Sequence, residues 1–266
     1  MGIKEPTEIQ SQVIPMLIST QTDLVGQAQT GTGKTAAFGL PILHQIDPKK
    51  NEVQALILSP TRELGQQIAK QLFKFTKYSE KIFVEAVYGG EKIERQISNL
   101  RRPTHIVVAT PGRLLDLIRR KAVDIRNVST VVLDEADEML SMGFKKELET
   151  ILSSLRDVKS KWLFSATMPQ EIQGLVKKFL APEAYHVRVS SNNVVNQDIA
   201  HQYTLCGDGD KLIQLVNFLK QQGEERGVIF CKTKVQTQML AKQLIAKNVA
   251  TDAIHGDLQQ DRKSVV

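Results

Sequence analysis

Cysteine, histidine clusters, aromatic rings and long apolar runs are all scarce in this sequence, and each scarcity closes off a class of function. Its 266 residues include two cysteines, Cys206 and Cys231, in no metal-ligand spacing. A disulfide scaffold and a cysteine zinc site are thereby excluded. Two free thiols suit a reducing compartment, and the expected location is cytoplasmic. The five histidines are scattered and form no H-x-x-x-H pair. No apolar run approaches membrane-spanning length, and Met1 is not followed by a signal-peptide pattern, so no membrane is expected among the partners. Aromatic residues make up 5% of the chain. So few rings do not suit a surface that stacks many bases; they suit one that grips a polymer by its backbone. Low-complexity segments and sequence repeats are absent.

What is present is an ordinary soluble composition, 41% hydrophobic and 24% charged. The length allows one large or two modest domains. A formal charge of +6 favours polyanionic partners, though only as support for stronger signals.

The strongest signal is Ala28-Gln29-Thr30-Gly31-Thr32-Gly33-Lys34-Thr35, a Gly/Thr run with an apolar stretch before it and a helical pattern after it. Strand, glycine-rich loop and helix are the context of a phosphate-binding loop. The glycines let consecutive backbone N–H groups face phosphate oxygens, and the helix start adds its positive dipole end. Lys34 can reach the outer phosphates and the Thr35 hydroxyl can ligate Mg²⁺. The first glycine of the generic G-x-x-x-x-G-K-[ST] pattern is replaced by Ala28. A second signal is the apolar strand that ends in Asp134-Glu135-Ala136-Asp137. A nucleotide hydrolase needs one acid to hold Mg²⁺ through water and a neighbour to activate the attacking water, roles that fit Asp134 and Glu135. Read locally, the same acids would simply suit a helix N-terminus.

The remaining pattern alternates strands and helices. Thr7 and Gln10 have capping-box spacing ahead of a stripe of Ile9, Val13, Ile14 and Leu17. Strands are expected at Val53–Ser59, Ile82–Tyr88, His105–Ala109, Val128–Asp134, Lys161–Ala166 and Tyr185–Val189. Helices are expected at Thr61–Tyr78, Glu91–Leu100, from Pro111 through Arg120, and at Gln170–Leu180. Such alternation predicts an α/β fold, a parallel sheet with helices on both faces and its chemistry at the carboxyl ends of the strands. Residues 190–198 are polar and aperiodic, a linker between a domain at 1–189 and a partial one at 199–266. In the latter, strands are expected at Ala200–Leu205, Val228–Cys231 and Ala250–Ile254, with helices at Asp210–Gln221 and Val235–Lys247.

Together these motifs resemble the DEAD-box family of ATP-dependent RNA helicases, in helicase superfamily two. The resemblance rests on Pro6-Thr7-Glu8-Ile9-Gln10, AQTGTGKT, PTREL at 60–64, Gly89-Gly90, TPGR at 110–113, DEAD at 134–137 and SAT at 165–167. In the second lobe it rests on VIFCKT at 228–233 and HGD at 255–257. It implies a RecA-like ATP-binding domain followed by an incomplete second RecA-like lobe. Gln10 would read the adenine edge, and the loop Ala28, Gln29, Thr30, Gly31, Thr32, Gly33, Lys34 and Thr35 would hold ATP. Thr35 and Asp134 would hold Mg²⁺, partly through water. Lys34, Asp134 and Glu135 would form the catalytic set, and Asp137, Ser165 and Thr167 would couple nucleotide state to RNA grip. Pro60, Thr61, Arg62, Gly89, Gly90, Thr110, Gly112 and Arg113 would line a sequence-independent path for single-stranded RNA or a short duplex. A monomer is expected. The sequence departs from the family in three ways. An adenine-stacking aromatic upstream of Gln10 is absent, Gln259 and Arg262 lie one residue too near His255, and the family's last two motifs are missing. Impaired hydrolysis by these residues alone is the expectation, as is cleavage near Asn193. A superfamily-two motor acting on DNA and an ATP-gated RNA clamp are the competing readings.

Overall fold

A computed structural model describes residues 5–78, 81–189, 200–207, 209–223 and 225–258. The chain divides into two compact units, Met1–Val194 and Val195–Val266.

The first unit is built on seven parallel strands: β1 (Leu24–Gln27), β2 (Ala55–Leu58), β3 (Val84–Val87), β4 (Ile106–Ala109), β5 (Thr130–Leu133), β6 (Ser160–Ser165) and β7 (Tyr185–Arg188). Their order across the sheet is β3-β4-β2-β5-β6-β1-β7. The interior strands β2, β4 and β5 are buried at every position, as expected of a parallel sheet covered on both faces. Alternate side chains feed two cores. On one face α1 (Glu8–Ser19), α2 (Lys34–Gln45) and α3 (Arg62–Phe75) set Ile9, Val13, Phe38, Ile42, Ile68 and Leu72 against Leu24, Ile57, Trp162 and Phe164. The opposite face carries α4 (Ile93–Leu100), α5 (Pro111–Arg119), α6 (Ala136–Ser141), α7 (Lys145–Ser154) and α8 (Gln170–Phe179). There Leu114, Met139, Ile151 and Leu175 close over Val25, Leu56, Val107 and Leu163.

Every expected element of this unit is present, most with shorter ends, while β6 keeps its expected length and lies one residue earlier, at Ser160–Ser165. The helix expected over Thr61–Tyr78 ends at Phe75 and continues as a 3-10 turn, Thr76–Tyr78, while the Thr61 hydroxyl accepts from the Leu64 N–H as its cap. The helix expected from Glu91 begins at Ile93, because the Gly89-Gly90 turn must first reverse the chain. Two helices, α6 and α7, carry no expectation in the sequence pattern.

The second unit differs from expectation. Its described residues form α9 (Lys211–Gln221) and α10 (Lys234–Ile245) and no strand. The strands expected at Ala200–Leu205, Val228–Cys231 and Ala250–Ile254 are unpaired chain. A strand exists only through the neighbour that takes its hydrogen bonds. Without one, Tyr203, Leu205, Val228 and Phe230 stay 80–93% exposed. The expected linker and Gln259 and Arg262 lie outside the described residues.

Asp23, just before β1, anchors the sheet's lower end. Its buried carboxylate accepts the Lys161 N–H at 2.7 Å and the Ala181 N–H at 2.8 Å, and pairs with Lys161 Nζ at 3.2 Å. Asp23→Ala strands both N–H groups and is expected to cost about 1–3 kcal/mol in chemical denaturation. A loss within experimental error would show that water replaces the carboxylate.

Candidate functional site

Strand order sorts the motifs into two groups along one edge of the sheet. The neighbours β5, β6 and β1 end in Asp134-Glu135, Ser165-Ala166-Thr167 and the Ala28–Thr35 loop. The neighbours β3, β4 and β2 end in Tyr88-Gly89-Gly90, Thr110-Pro111-Gly112-Arg113 and Pro60-Thr61-Arg62. The seam is the β2–β5 pair, where the Asp134 N–H donates to the Leu58 carbonyl at 2.9 Å.

In the first group, the loop runs from buried Ala28 through exposed Gln29, Thr30 and Gly31 into α2, which begins at Lys34. Gly31 and Gly33 take φ +80° and +88°, a region that L side chains avoid. A Cβ on Gly33 would also collide with Gln10 Nε2. The Thr32 hydroxyl donates to the Gln29 carbonyl, closing the turn. Two bonds from α1 brace it: Thr7 Oγ1 donates to the Thr32 carbonyl at 2.8 Å, and Gln10 Nε2 to the Gly33 carbonyl at 3.1 Å. Gln10 Oε1 accepts the Thr7 N–H, so the capping-box reading of Gln10 holds together with a contact to the loop. One amide hydrogen and one carbonyl lone pair of Gln10 are left after these bonds.

Lys34 is only 6% exposed, and its ammonium donates to the Ala28 carbonyl at 2.9 Å. Thr35 is half-buried beside it. Asp134 is 2% exposed. Burial pushes its carboxyl up to about 6; Lys34 pulls it down, and Glu135 and Asp137 push it further up. Glu135 is the N-cap residue of α6 at φ +51°, half-buried, and its N–H donates to Asp134 Oδ1. Asp137 Oδ2 accepts from the Thr167 N–H at 2.8 Å and the Thr167 hydroxyl at 2.7 Å. Burial raises the Asp137 carboxyl, but these bonds and the Ser165 hydroxyl outweigh it and hold it below the ordinary value. The Ser165 hydroxyl itself donates to the Thr167 carbonyl at 2.7 Å. Among the described residues no three His, Cys, Asp or Glu side chains cluster as a metal cage. A divalent cation there would draw its remaining oxygens from water and phosphate, which is how Mg²⁺ is usually held.

In the second group, Gly89, Gly90 and Gly112 are exposed, Pro60 and Pro111 are buried, and Thr61, Arg62, Thr110 and Arg113 are half-buried. Gly90 has φ +81°. Arg62 stacks its guanidinium 4.8 Å from the centre of the Tyr88 ring. Gln66 Nε2 donates to Tyr88 Oη at 2.6 Å. Sequence reasoning missed Gln96, which is buried among these residues and bonded to both Tyr88 and Arg113. The signal was there: Gln96 interrupts the stripe of Ile93, Ile97 and Leu100 on α4, and an amide on an apolar face needs partners.

The raised Asp134 carboxyl gives a pH prediction. Its folded value lies above its unfolded one, so the folded state holds the extra proton between roughly pH 4 and 6 and loses stability as pH rises through that window. Asp134→Asn removes the charge and is expected to stabilise the nucleotide-free protein by on the order of 2 kcal/mol at pH 8, with the gain shrinking from pH 6 toward 4. Denaturant melts across pH check it; no gain at pH 8 would contradict it.

The family model described as DEAD/DEAH box helicase matches residues 7–175. The DEAD-box ATP-dependent RNA helicase CshA of Bacillus cereus (strain ATCC 10987 / NRS 248) is 42% identical over 266 residues, covering 100% of this chain and 50% of the relative. The ATP-dependent RNA helicase CshA of Listeria monocytogenes serovar 1/2a is 43% identical, covering 100% and 51%. Among solved structures, a DEAD box protein from the hyperthermophile Methanococcus jannaschii superposes with a TM-score of 0.66 at 39% identity, covering 97% of this chain and 69% of that one. A hypothetical ATP-dependent RNA helicase from Sulfolobus tokodaii gives 0.65 at 31%, covering 99% and 74%. The chain spans about half the length of the curated relatives it matches. The fold of the first unit is RecA-like, and with a family match over well more than half of its residues the chain belongs to the DEAD/DEAH box helicases.

Proposed function

We propose that the protein of which these residues are part is an ATP-dependent RNA helicase that grips the RNA backbone and couples ATP hydrolysis to local unwinding or RNP remodelling. One observation carries this reading. The loop, the acidic pair and the Ser165–Thr167 turn share three adjacent strands, and the three remaining loops share the three strands beside them. That a nucleotide site and a backbone track would then share one sheet edge is what supports coupling one to the other.

On this reading residues 1–189 are the ATP-binding domain and 199–266 belong to a second RecA-like lobe, joined through 190–198, in a cytoplasmic monomer. The free donor and acceptor on Gln10 face the adenine edge, which offers one of each. ATP fits the loop: a buried ammonium now resting on the Ala28 carbonyl would find a better acceptor in phosphate. Mg²⁺ fits Thr35 and Asp134, since a cation restores the buried Asp134 carboxyl to its ionised form. Bound there, the ion would neutralise charge on the phosphate oxygens. Glu135 accepts the proton of the attacking water from its fixed place at the start of α6. Lys34 holds the outer phosphates. Asp137 reports on the site by holding Thr167, so that motion of α6 moves the turn after β6. Pro60, Thr61, Arg62, Gly89, Gly90, Thr110, Gly112 and Arg113 form the track, where phosphate contacts give grip without sequence choice. A further cation from a second lobe, worth ~10³–10⁵ in rate, completes such sites, so the 266 residues alone are expected to bind nucleotide with little turnover.

Glu135→Gln in the full-length protein keeps the shape and removes the base. It is expected to retain ATP and RNA affinity and to lose RNA-stimulated phosphate release by about 10²-fold or more. Retained turnover would move the base to another group. DNA stimulating the parent as well as RNA does would favour the DNA-motor reading.

A further inference from the structure

Gln96 uses its whole hydrogen-bonding capacity at one joint. Its Oε1 accepts from the Tyr88 N–H at 3.3 Å and from Arg113 Nη1 at 2.8 Å. Its Nε2 donates to the Tyr88 carbonyl at 3.0 Å and to Glu91 Oε2 at 3.2 Å. An amide has two lone pairs and two N–H groups, and all four are engaged. The residue is 1% exposed, so none of these bonds has water as a substitute. Arg113 supplies the second half of the joint. Its Nη2 donates to the Glu91 carbonyl at 3.0 Å. Its planar fork therefore straddles Gln96 and the chain just past Gly90, and two of its donors point into the protein instead of along the exposed edge. Tyr88 is held again from the far side by Gln66 and by the Arg62 guanidinium over its ring. The charged groups around the joint are Glu91, Arg95 paired to it, Arg62 and Arg113.

We propose that Gln96 and Arg113 are positioning residues, a two-part strut that locks the Gly89-Gly90 turn to the start of α5 so that both backbones meet RNA phosphates as one rigid surface. The inference rests on the RNA-track reading and revises it at one residue: Arg113 belongs to the track by fixing the turn through its fork, in place of a direct charge contact to a phosphate. The separation between two phosphate-facing loops on different strands has to match the spacing of the polymer. Loops merely tethered by β3 and β4 would each lose entropy on binding; a strut removes that cost beforehand. Among the described residues, Gln96 is the one side chain seen to bond both to the Tyr88 backbone, where the turn begins, and to the arginine that follows Gly112.

The test uses the full-length protein and fluorescence anisotropy with a single-stranded RNA at several salt concentrations. Gln96→Met keeps the volume and removes every bond. It is expected to weaken RNA about tenfold and flatten the salt dependence, while ATP affinity moves less than twofold. Arg113→Lys keeps the charge and loses the fork, and is expected to weaken RNA nearly as much as Arg113→Met. The double variant Gln96→Met/Arg113→Met should lose no more than either single one, because both break the same joint. Parent-like affinity in Arg113→Lys, or losses that multiply in the double variant, would overturn the strut and leave Arg113 as a direct phosphate contact. If Gln96→Met fails to fold, Gln96→Glu, which keeps the acceptors and turns both donated bonds into repulsions, takes its place in the cycle. Gly90→Ala, strained at φ +81°, separates the two levels. RNA weakened by Gly90→Ala but not by the Gln96 or Arg113 variants overturns the inference alone. RNA unmoved by any of them overturns the track reading with it.

Discussion

An ammonium and a carboxyl taken out of water, Lys34 and Asp134, set the terms for the nucleotide half of the sheet edge. Neither has more than a few per cent of its surface exposed; Lys34 donates to the Ala28 carbonyl and Asp134 accepts the Glu135 N–H. Burying charge is costly unless it is paired and hydrogen-bonded. Lys34 rests on a single loop carbonyl, and Asp134 is driven toward its neutral form. On the proposed function, these two buried groups gain from a ligand that brings anions to the lysine and a cation to the aspartate. A phosphate chain with a divalent metal does both at once. The glycines of the loop, the brace from Thr7 and Gln10, and the left-handed Glu135 all serve to hold the two side chains at opposite flanks of β6.

The two halves of the edge are constructed differently. On the nucleotide side, loops are shaped by positive-φ residues and by short hydroxyl bonds such as those of Thr167 to Asp137. The other side also turns on a positive-φ glycine, Gly90, but is shaped mainly by long amide and guanidinium side chains, Gln66, Gln96, Arg62 and Arg113, knitted around Tyr88. On the proposed function, the contrast follows from what each would have to hold. A compact triphosphate needs donors converging on one point, whereas an extended backbone needs donors spaced along a line. A carboxylate that moves with α6 would reach the turn after β6 through Thr167, and β5 and β2 are hydrogen-bonded neighbours that carry the two halves side by side.

Much of this was legible in the sequence, because the relevant signals are local. A Gly-rich run between strand and helix, an acidic pair at a strand end and a Thr cap each announce themselves within a few residues, and the first unit follows them closely. What was not legible depends on contacts distant in sequence. Gln96, an amide in the stripe of Ile93, Ile97 and Leu100, signals a need for partners, but that Tyr88 and Arg113 are those partners needs the fold. Lys34 bonding back to Ala28, and Gln10 serving both as a cap and as a loop brace, need the fold. The strands expected after residue 199 failed for the opposite reason. Their apolar patterning is real, but pairing is not a local property, and among the described residues those segments have no sheet to join. Strand order, which divides the site into its two halves, is also invisible in local pattern.

The central claim is that the buried lysine and aspartate await a metal–nucleotide, and equilibrium titration of the chain with a fluorescent ATP analogue, with Mg²⁺ and with chelator, tests it most directly. The account predicts saturable binding that strengthens with Mg²⁺ and is lost in Lys34→Ala, because Lys34 is the one lysine or arginine of the Ala28–Thr35 loop. Binding that is indifferent to Mg²⁺ and unchanged in Lys34→Ala would contradict it.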